Sequence, residues 1–210
     1  RGQLALLDAF LHAEPEATCD AAFARARKAL ARFTGAVALD PPSSFVGSLR
    51  PYQREGLGWL TSLRELGFGG CLADDMGLGK TVQVLALLDA RRTAKRGPSL
   101  VVVPRSLLFN WKDEAAKFTP RLAVLDYSGA ARGGTEPEDH DVVLTTYGTL
   151  RRDVGTLRKI DWDYLVLDEA QAVKNATTAA AKAVRLVKAR HRLALSGTPV
   201  ENHLGELWSL

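Results

Sequence analysis

The sequence predicts an α/β domain of three layers, a mostly parallel sheet between helices, preceded by a short helical extension. Three observations carry that expectation. From residue 46 onward, short apolar runs alternate with longer stretches of helical periodicity. Several runs, among them 100–103 and 165–167, are continuously apolar, as strands are when helices cover both faces of a parallel sheet. One run, at 70–73, opens through a glycine-containing turn into a helix that starts with Lys80 and Thr81.

Taken in order, residues 1–33 read as helical. Leu4, Leu7, Phe10 and Leu11 share one face, and a second amphipathic stretch runs over 20–33. Pro41, Pro42, Ser43 and Ser44 break the periodicity and mark a linker, dividing an extension at 1–45 from a domain at 46–210. Strands are expected at 70–73, 100–103, 122–127, 142–145, 165–167 and 193–195. Helices are expected at 52–66, 80–93, 106–118 and 177–189, and the acidic segment 135–141 reads as a loop.

Bulk properties narrow the function class. A composition 46% hydrophobic and 25% charged is that of a globular protein. No apolar run approaches the ~20 residues of a membrane span, and no secretory signal opens the chain. Cys19 and Cys71 have no metal-type spacing and read as reduced thiols of a cytoplasmic protein. The net charge of +4 suits a polyanionic partner. Met76 is the only methionine, and residues 201–210 resemble the opening of a helix, so the chain is expected to be a piece of a longer protein.

Asp74, Asp75, Met76, Gly77, Leu78, Gly79, Lys80 and Thr81 join a strand to a helix, the setting of a phosphate-binding loop. Gly77 and Gly79 allow backbone N–H groups to turn inward, Lys80 supplies positive charge to β- and γ-phosphates, and the Thr81 hydroxyl can ligate Mg²⁺. The strict phosphate-loop pattern has glycine where Asp74 stands. Further on, an apolar strand delivers Asp168 and Glu169 at its C-terminal end, where ligands of open α/β sheets bind. Asp168 is placed to hold Mg²⁺, and Glu169 to orient or deprotonate an attacking water.

Read together, these residues resemble the Swi/Snf-family ATPases of the second helicase superfamily. Leu49-Arg50-Pro51-Tyr52-Gln53-Arg54-Glu55-Gly56 is similar to that family's Q-motif region, and 74–81 to motif I. Residues 102–111 and 142–147 look like motifs Ia and Ib, Asp168-Glu169-Ala170-Gln171 like a DEAH-type box, and Ser196-Gly197-Thr198-Pro199 like motif III. The resemblance spans about residues 46–210 and includes the closing Glu206-Leu207-Trp208-Ser209-Leu210. Two departures stand out: Gln171 replaces a frequent histidine, and Ala172 a frequent basic residue, although Lys174 and Asn175 are kept.

The resemblance implies a RecA-like first motor lobe, in the wording of a bacterial member, that burns ATP with Mg²⁺ and translocates along duplex DNA. It implies that Gln53 reads adenine and that Gln171, Ser196, Gly197 and Thr198 couple nucleotide state to polymer grip. Arg105, Ser106, Thr145, Thr146, Tyr147 and Lys174 become candidate nucleic-acid contacts, the first five by hydroxyls, charge and amides just beyond strands. Trp111 reads as core or as a sugar contact, and the basic stripes Lys182/Arg185/Lys188 and 91–96 as solvated faces or DNA contacts. Relatives carry arginine fingers on a second RecA-like lobe, so this piece alone is expected to turn over ATP hardly at all. The alternatives are a lobe of an RNA helicase and a nucleotide-sensing interaction module without turnover.

Overall fold

The computed structural model describes residues 35–92, 97–129, 134 and 136–197. The helical stretch expected at 1–33, Cys19, Thr93, Thr198 and the closing segment 201–210 lie outside the described residues.

The architecture is the expected three-layer one. Six strands run β1 (Gly70–Leu72), β2 (Ser99–Val103), β3 (Val124–Asp126), β4 (Val142–Thr146), β5 (Trp162–Leu167) and β6 (Ala189–Leu195), in spatial order β1-β6-β5-β2-β4-β3. Every pairing is parallel. Among the described residues the α-helices are α1 (Pro51–Leu66), α2 (Lys80–Arg92), α3 (Leu108–Phe118), α4 (Tyr147–Leu157) and α5 (Ala179–Leu186).

Two-residue alternation along the central strands sorts the core into two layers. Val101, Val103 and Val166 point into one, with Leu57 and Leu60 of α1, the run Val84–Leu88 of α2, and Trp111 and Ala115 of α3. Leu100, Val102, Leu165 and Leu167 point into the other, with Leu150 and Leu157 of α4 and Ala181, Ala183 and Val184 of α5. Strand β2 is buried at every position, so an all-apolar run costs nothing in exposed surface there. Each fully buried Val or Leu contributes about 1.5–3 kcal/mol.

Three features differ from the sequence expectation. α4 was not expected: Gly148, Thr149, Gly155 and Thr156 lower helix propensity, but Thr146 caps the helix by accepting from the Thr149 N–H at 3.2 Å. β6 begins at Ala189, within the expected helix 177–189, because Arg190, His191 and Arg192 disguise a strand whose first half is incompletely covered. The segment read as a linker packs on the domain. Phe45 stacks on Phe118 with ring centroids 5.8 Å apart, the Ser44 hydroxyl donates to Asp89 at 2.6 Å, and the Leu39 N–H donates to the Arg54 carbonyl at 3.0 Å.

α2 is fastened to the far end of β5 by a bidentate ion pair. Arg91 reaches the two Asp163 carboxylate oxygens at 2.7 and 2.8 Å, and Asp163 is 1% exposed. Arg91 therefore belongs to the core's edge and not to a DNA-facing stripe.

Candidate active site

Strand register brings the candidate residues to one edge. Leu72 pairs with Leu195, Leu167 with Ala194 and with Val102, and Val103 with Thr146. The segments leaving β1, β6, β5, β2 and β4 therefore stand side by side: the glycine loop, Ser196-Gly197, Asp168-Glu169, Pro104-Arg105 and Thr146-Tyr147.

At one end the loop 73–79 feeds the N-terminus of α2. Gly77 and Gly79 have φ of 83° and 77°, in the left-handed region that only glycine enters without penalty. A Cβ on Gly79 would also lie 2.5 Å from Gln53 Nε2. Lys80 Nζ donates to the Asp74 and Asp75 carbonyls at 2.6 and 3.2 Å, so its ammonium sits inside the loop it belongs to. Thr81 follows in the first turn of α2, half-buried, while Met76 and Leu78 are exposed at the tip.

Gln53 and Tyr52 steady this loop from α1. Gln53 Nε2 and the Tyr52 hydroxyl each donate to the Leu78 carbonyl at 3.1 Å. Asp74, the departure from the strict pattern, is accommodated by Gln83 on α2, whose Nε2 donates to the Asp74 carboxylate at 2.9 Å. The sequence reading missed Gln83. Its signal was a lone amide inside the apolar face of α2, where it is fully buried.

The carboxylate pair occupies the middle of the edge. Asp168 is 6% exposed; one carboxylate oxygen accepts from Trp111 Nε1 at 2.8 Å and the other from the Glu169 N–H at 2.9 Å. Burial pushes the Asp168 carboxyl above its usual range, opposed by the Trp111 and Glu169 hydrogen bonds and by the charge of Lys80. Glu169 has φ 48° and ψ 53°, the one non-glycine residue with positive φ among those described. Such a conformation costs on the order of 1–3 kcal/mol and persists where surrounding contacts over-determine it.

Gln171 spans the next gap. Its Nε2 donates to the Glu169 carboxylate, and its Oε1 accepts from the Ser196 hydroxyl at 3.1 Å. The Ser196 N–H donates to the Leu72 carbonyl at 3.2 Å, and a Cβ on Gly197 would lie 3.4 Å from Met76. Glu169 and Gln171 after β5, Ser196 after β6 and Leu72 at the end of β1 thus form one hydrogen-bonded chain.

Toward β4 the edge is more open. Arg105 and Ser106 are exposed on a 3-10 turn, Arg105–Leu107, and Thr146 is half-buried as the cap of α4. Lys174 closes the short turn after Glu169 through its backbone N–H, which donates to the Gln171 carbonyl at 3.2 Å. The expected hydroxyl contacts of Thr145 and Tyr147 need correction. Thr145 alternates inward, is fully buried and donates to the Tyr127 carbonyl at 2.9 Å. Tyr147 turns its hydroxyl into the domain and donates to the Asp168 carbonyl at 2.7 Å. Trp111 is core, 1% exposed, with no face left for a sugar.

The SNF2-related domain profile matches residues 52–210. The chain belongs to the SNF2-related family. It is 47% identical over 174 residues to the putative ATP-dependent helicase/translocase YwqA of Bacillus subtilis, covering 80% of this chain and 19% of that protein. It is 40% identical over 192 residues to the chromatin-remodeling ATPase INO80 of Sclerotinia sclerotiorum, covering 84% of this chain and 11% of the relative. The Sulfolobus solfataricus SWI2/SNF2 ATPase core in complex with dsDNA superposes with a TM-score of 0.75 at 45% identity, covering 80% of this chain and 36% of that one. The chain thus spans about a fifth or less of the length of these curated relatives. Along the sheet edge this SNF2-related domain carries the glycine loop, then the serine–glycine segment, then the acidic pair.

Proposed function

We propose that this SNF2-related domain is the ATP-binding lobe of a DNA-dependent ATPase that translocates on duplex DNA. The observation that carries the reading is the hydrogen-bond chain along one strand edge from Glu169 through Gln171 to Ser196 and on to Leu72, the last residue of the strand that feeds the glycine loop. In this reading the loop amides and the N-terminus of α2 receive the phosphates. Lys80 exchanges the Asp74 and Asp75 carbonyls for phosphate oxygens, and Glu169 orients the attacking water and takes its proton.

The residues fit Mg²⁺. Among the described residues no three His, Cys, Asp or Glu side chains form a cage, and Mg²⁺ prefers one or two protein oxygens plus phosphates and water. Asp168 and Thr81 would supply those oxygens. Bound Mg²⁺ contributes neutralisation of the charge that develops on the phosphates.

Arg105, Ser106, Thr146 and Lys174 would grip the polymer backbone, with the S. solfataricus relative's complex with dsDNA favouring duplex DNA. A second RecA-like lobe in cis would complete the site. The chain's coverage of 36% of the S. solfataricus ATPase core supports that division. Among the described residues no helix is long and apolar enough to cross a membrane.

The test is ATP turnover by the full-length protein with duplex DNA, single strands or RNA added. Duplex DNA is expected to stimulate most, and Lys80→Ala to abolish turnover. Preferential stimulation by RNA would move the assignment to an RNA helicase, and full activity of Lys80→Ala would remove it.

A further inference from the structure

Asp168 is held from both layers of the domain by side chains that neither nucleotide chemistry nor polymer contact has claimed. From one layer comes Trp111 of α3, whose indole N–H donates to the carboxylate at 2.8 Å. From the other comes Tyr147 of α4, whose hydroxyl donates to the Asp168 carbonyl at 2.7 Å. Both donors are set in the two helices that follow the polymer-facing turns. α3 is preceded directly by the turn that exposes Arg105 and Ser106, and Tyr147 is the residue after the capping Thr146.

We infer that Trp111 and Tyr147 are positioning residues through which polymer bound at the β2–β4 edge sets the placement of the Asp168 carboxylate. The inference rests on the ATP-driven reading above and deepens it.

The physical case is one of leverage. Asp168 follows β5 at its junction with the left-handed Glu169, a backbone conformation that needs outside support. The peptide that carries this junction is fixed by the Tyr147 hydroxyl at the Asp168 carbonyl and by Asp168's N–H, which donates to the Val102 carbonyl at 2.9 Å. The side chain is fixed by Trp111. A small shift of α3 or α4 therefore moves directly the carboxylate oxygen that would hold Mg²⁺, without passing through the Gln171–Ser196 bridge on the opposite flank. Hydrogen-bond partners behind a metal ligand typically govern affinity or activity by about 10- to 100-fold. Two sites that bias one element are coupled reciprocally, so polymer and Mg²⁺ should each raise the other's apparent affinity.

Tyr147→Phe removes one oxygen and Trp111→Phe removes the indole donor while keeping an aromatic ring. In the full-length protein, equilibrium binding of a fluorescent non-hydrolysable ATP analogue and, alongside it, ATP turnover are measured against Mg²⁺ concentration with and without linear duplex DNA. Wild type should need less Mg²⁺ when DNA is present. In each variant that DNA effect should shrink, half-saturating Mg²⁺ with DNA should rise about 10- to 100-fold, and the DNA concentration for half-stimulation at saturating Mg²⁺ should rise with it. A uniform fall in turnover with Mg²⁺ dependence intact, or curves matching wild type, would overturn the inference. Should Trp111→Phe unfold the domain, Tyr147→Phe decides alone. Lys80→Ala runs alongside: its inactivity combined with wild-type Mg²⁺ curves in Tyr147→Phe condemns only this inference, whereas its activity removes the ATP-driven reading as well.

Discussion

Gln53 joins the start of α1 to the tip of the glycine loop. Its Oε1 accepts from the Arg50 N–H at 2.9 Å, closing the cap of the helix, and its Nε2 donates to the Leu78 carbonyl at 3.1 Å. The amide is thereby spent at both ends, and Gln53 is only 8% exposed. Its proposed contact with adenine would require the Nε2 bond to be exchanged on nucleotide binding.

Replacing Gln53 by Ala should therefore act on the loop before the chemistry. The Michaelis constant for ATP is expected to rise several-fold, with a smaller effect on kcat, and stability to fall by about 1 kcal/mol as the Arg50 N–H loses its acceptor. Steady-state kinetics and urea unfolding measure the two effects. An unchanged Michaelis constant would mean that the loop does not depend on this tie.

Gln171 bridges Glu169 and Ser196, so Gln171→Ala should separate nucleotide binding from turnover. ATP affinity, read by equilibrium binding, should change little, while DNA-stimulated kcat drops by at least about tenfold, or ~1.4 kcal/mol in the barrier. Gln171→His should restore part of the rate, because an imidazole can also donate to one neighbour and accept from the other. Equal loss in both variants would argue against a bridging role.

Arg91→Ala leaves the Asp163 carboxylate buried without its partner. Breaking one half of a buried pair typically costs about 3–5 kcal/mol, and the partial exposure of Arg91 favours the lower end. The pair sits at the opposite end of β5 from Asp168, so ATP affinity of the folded fraction should match wild type. Chemical denaturation and nucleotide titration check this; a loss of under about 1 kcal/mol would class the pair with surface ion pairs.

His191 on β6 lies against the Tyr164 ring, 4.9 Å between centroids. Burial lowers its pKa most, Asp163 opposes this, and Arg91, Arg64 and Arg190 lower it further. A group whose folded pKa is depressed stabilises the fold above its unfolded pKa. That stability is lost as pH falls from about 6.5 through the lower folded value. His191→Gln should accordingly flatten the decline of the thermal midpoint below about pH 6.5. A variant that loses stability in acid as steeply as wild type would assign that loss to other groups.

The sequence by itself determined the layers and the strand count, and it marked the segments that leave the strands at the edge. Runs such as 100–103 report burial on both faces, and a glycine turn between strand and helix reports the setting of a phosphate-binding loop; both are local patterns. What a polar side chain touches is decided by segments that meet only after folding. Trp111 and Asp168 are 57 residues apart, and Arg91 and Asp163 are 72 apart, so neither pairing leaves a trace in spacing. The same holds for Thr145 and Tyr147, whose hydroxyls read as surface contacts until the neighbouring strands turned them inward. Strand β6 stayed half-hidden because its charged first half satisfies no apolar pattern, and that half is held in the sheet by pairing with β5 alone, β1 joining only from Leu193 onward. Periodicity records which side of an element is buried; which partner waits there depends on the order in which distant strands are laid side by side.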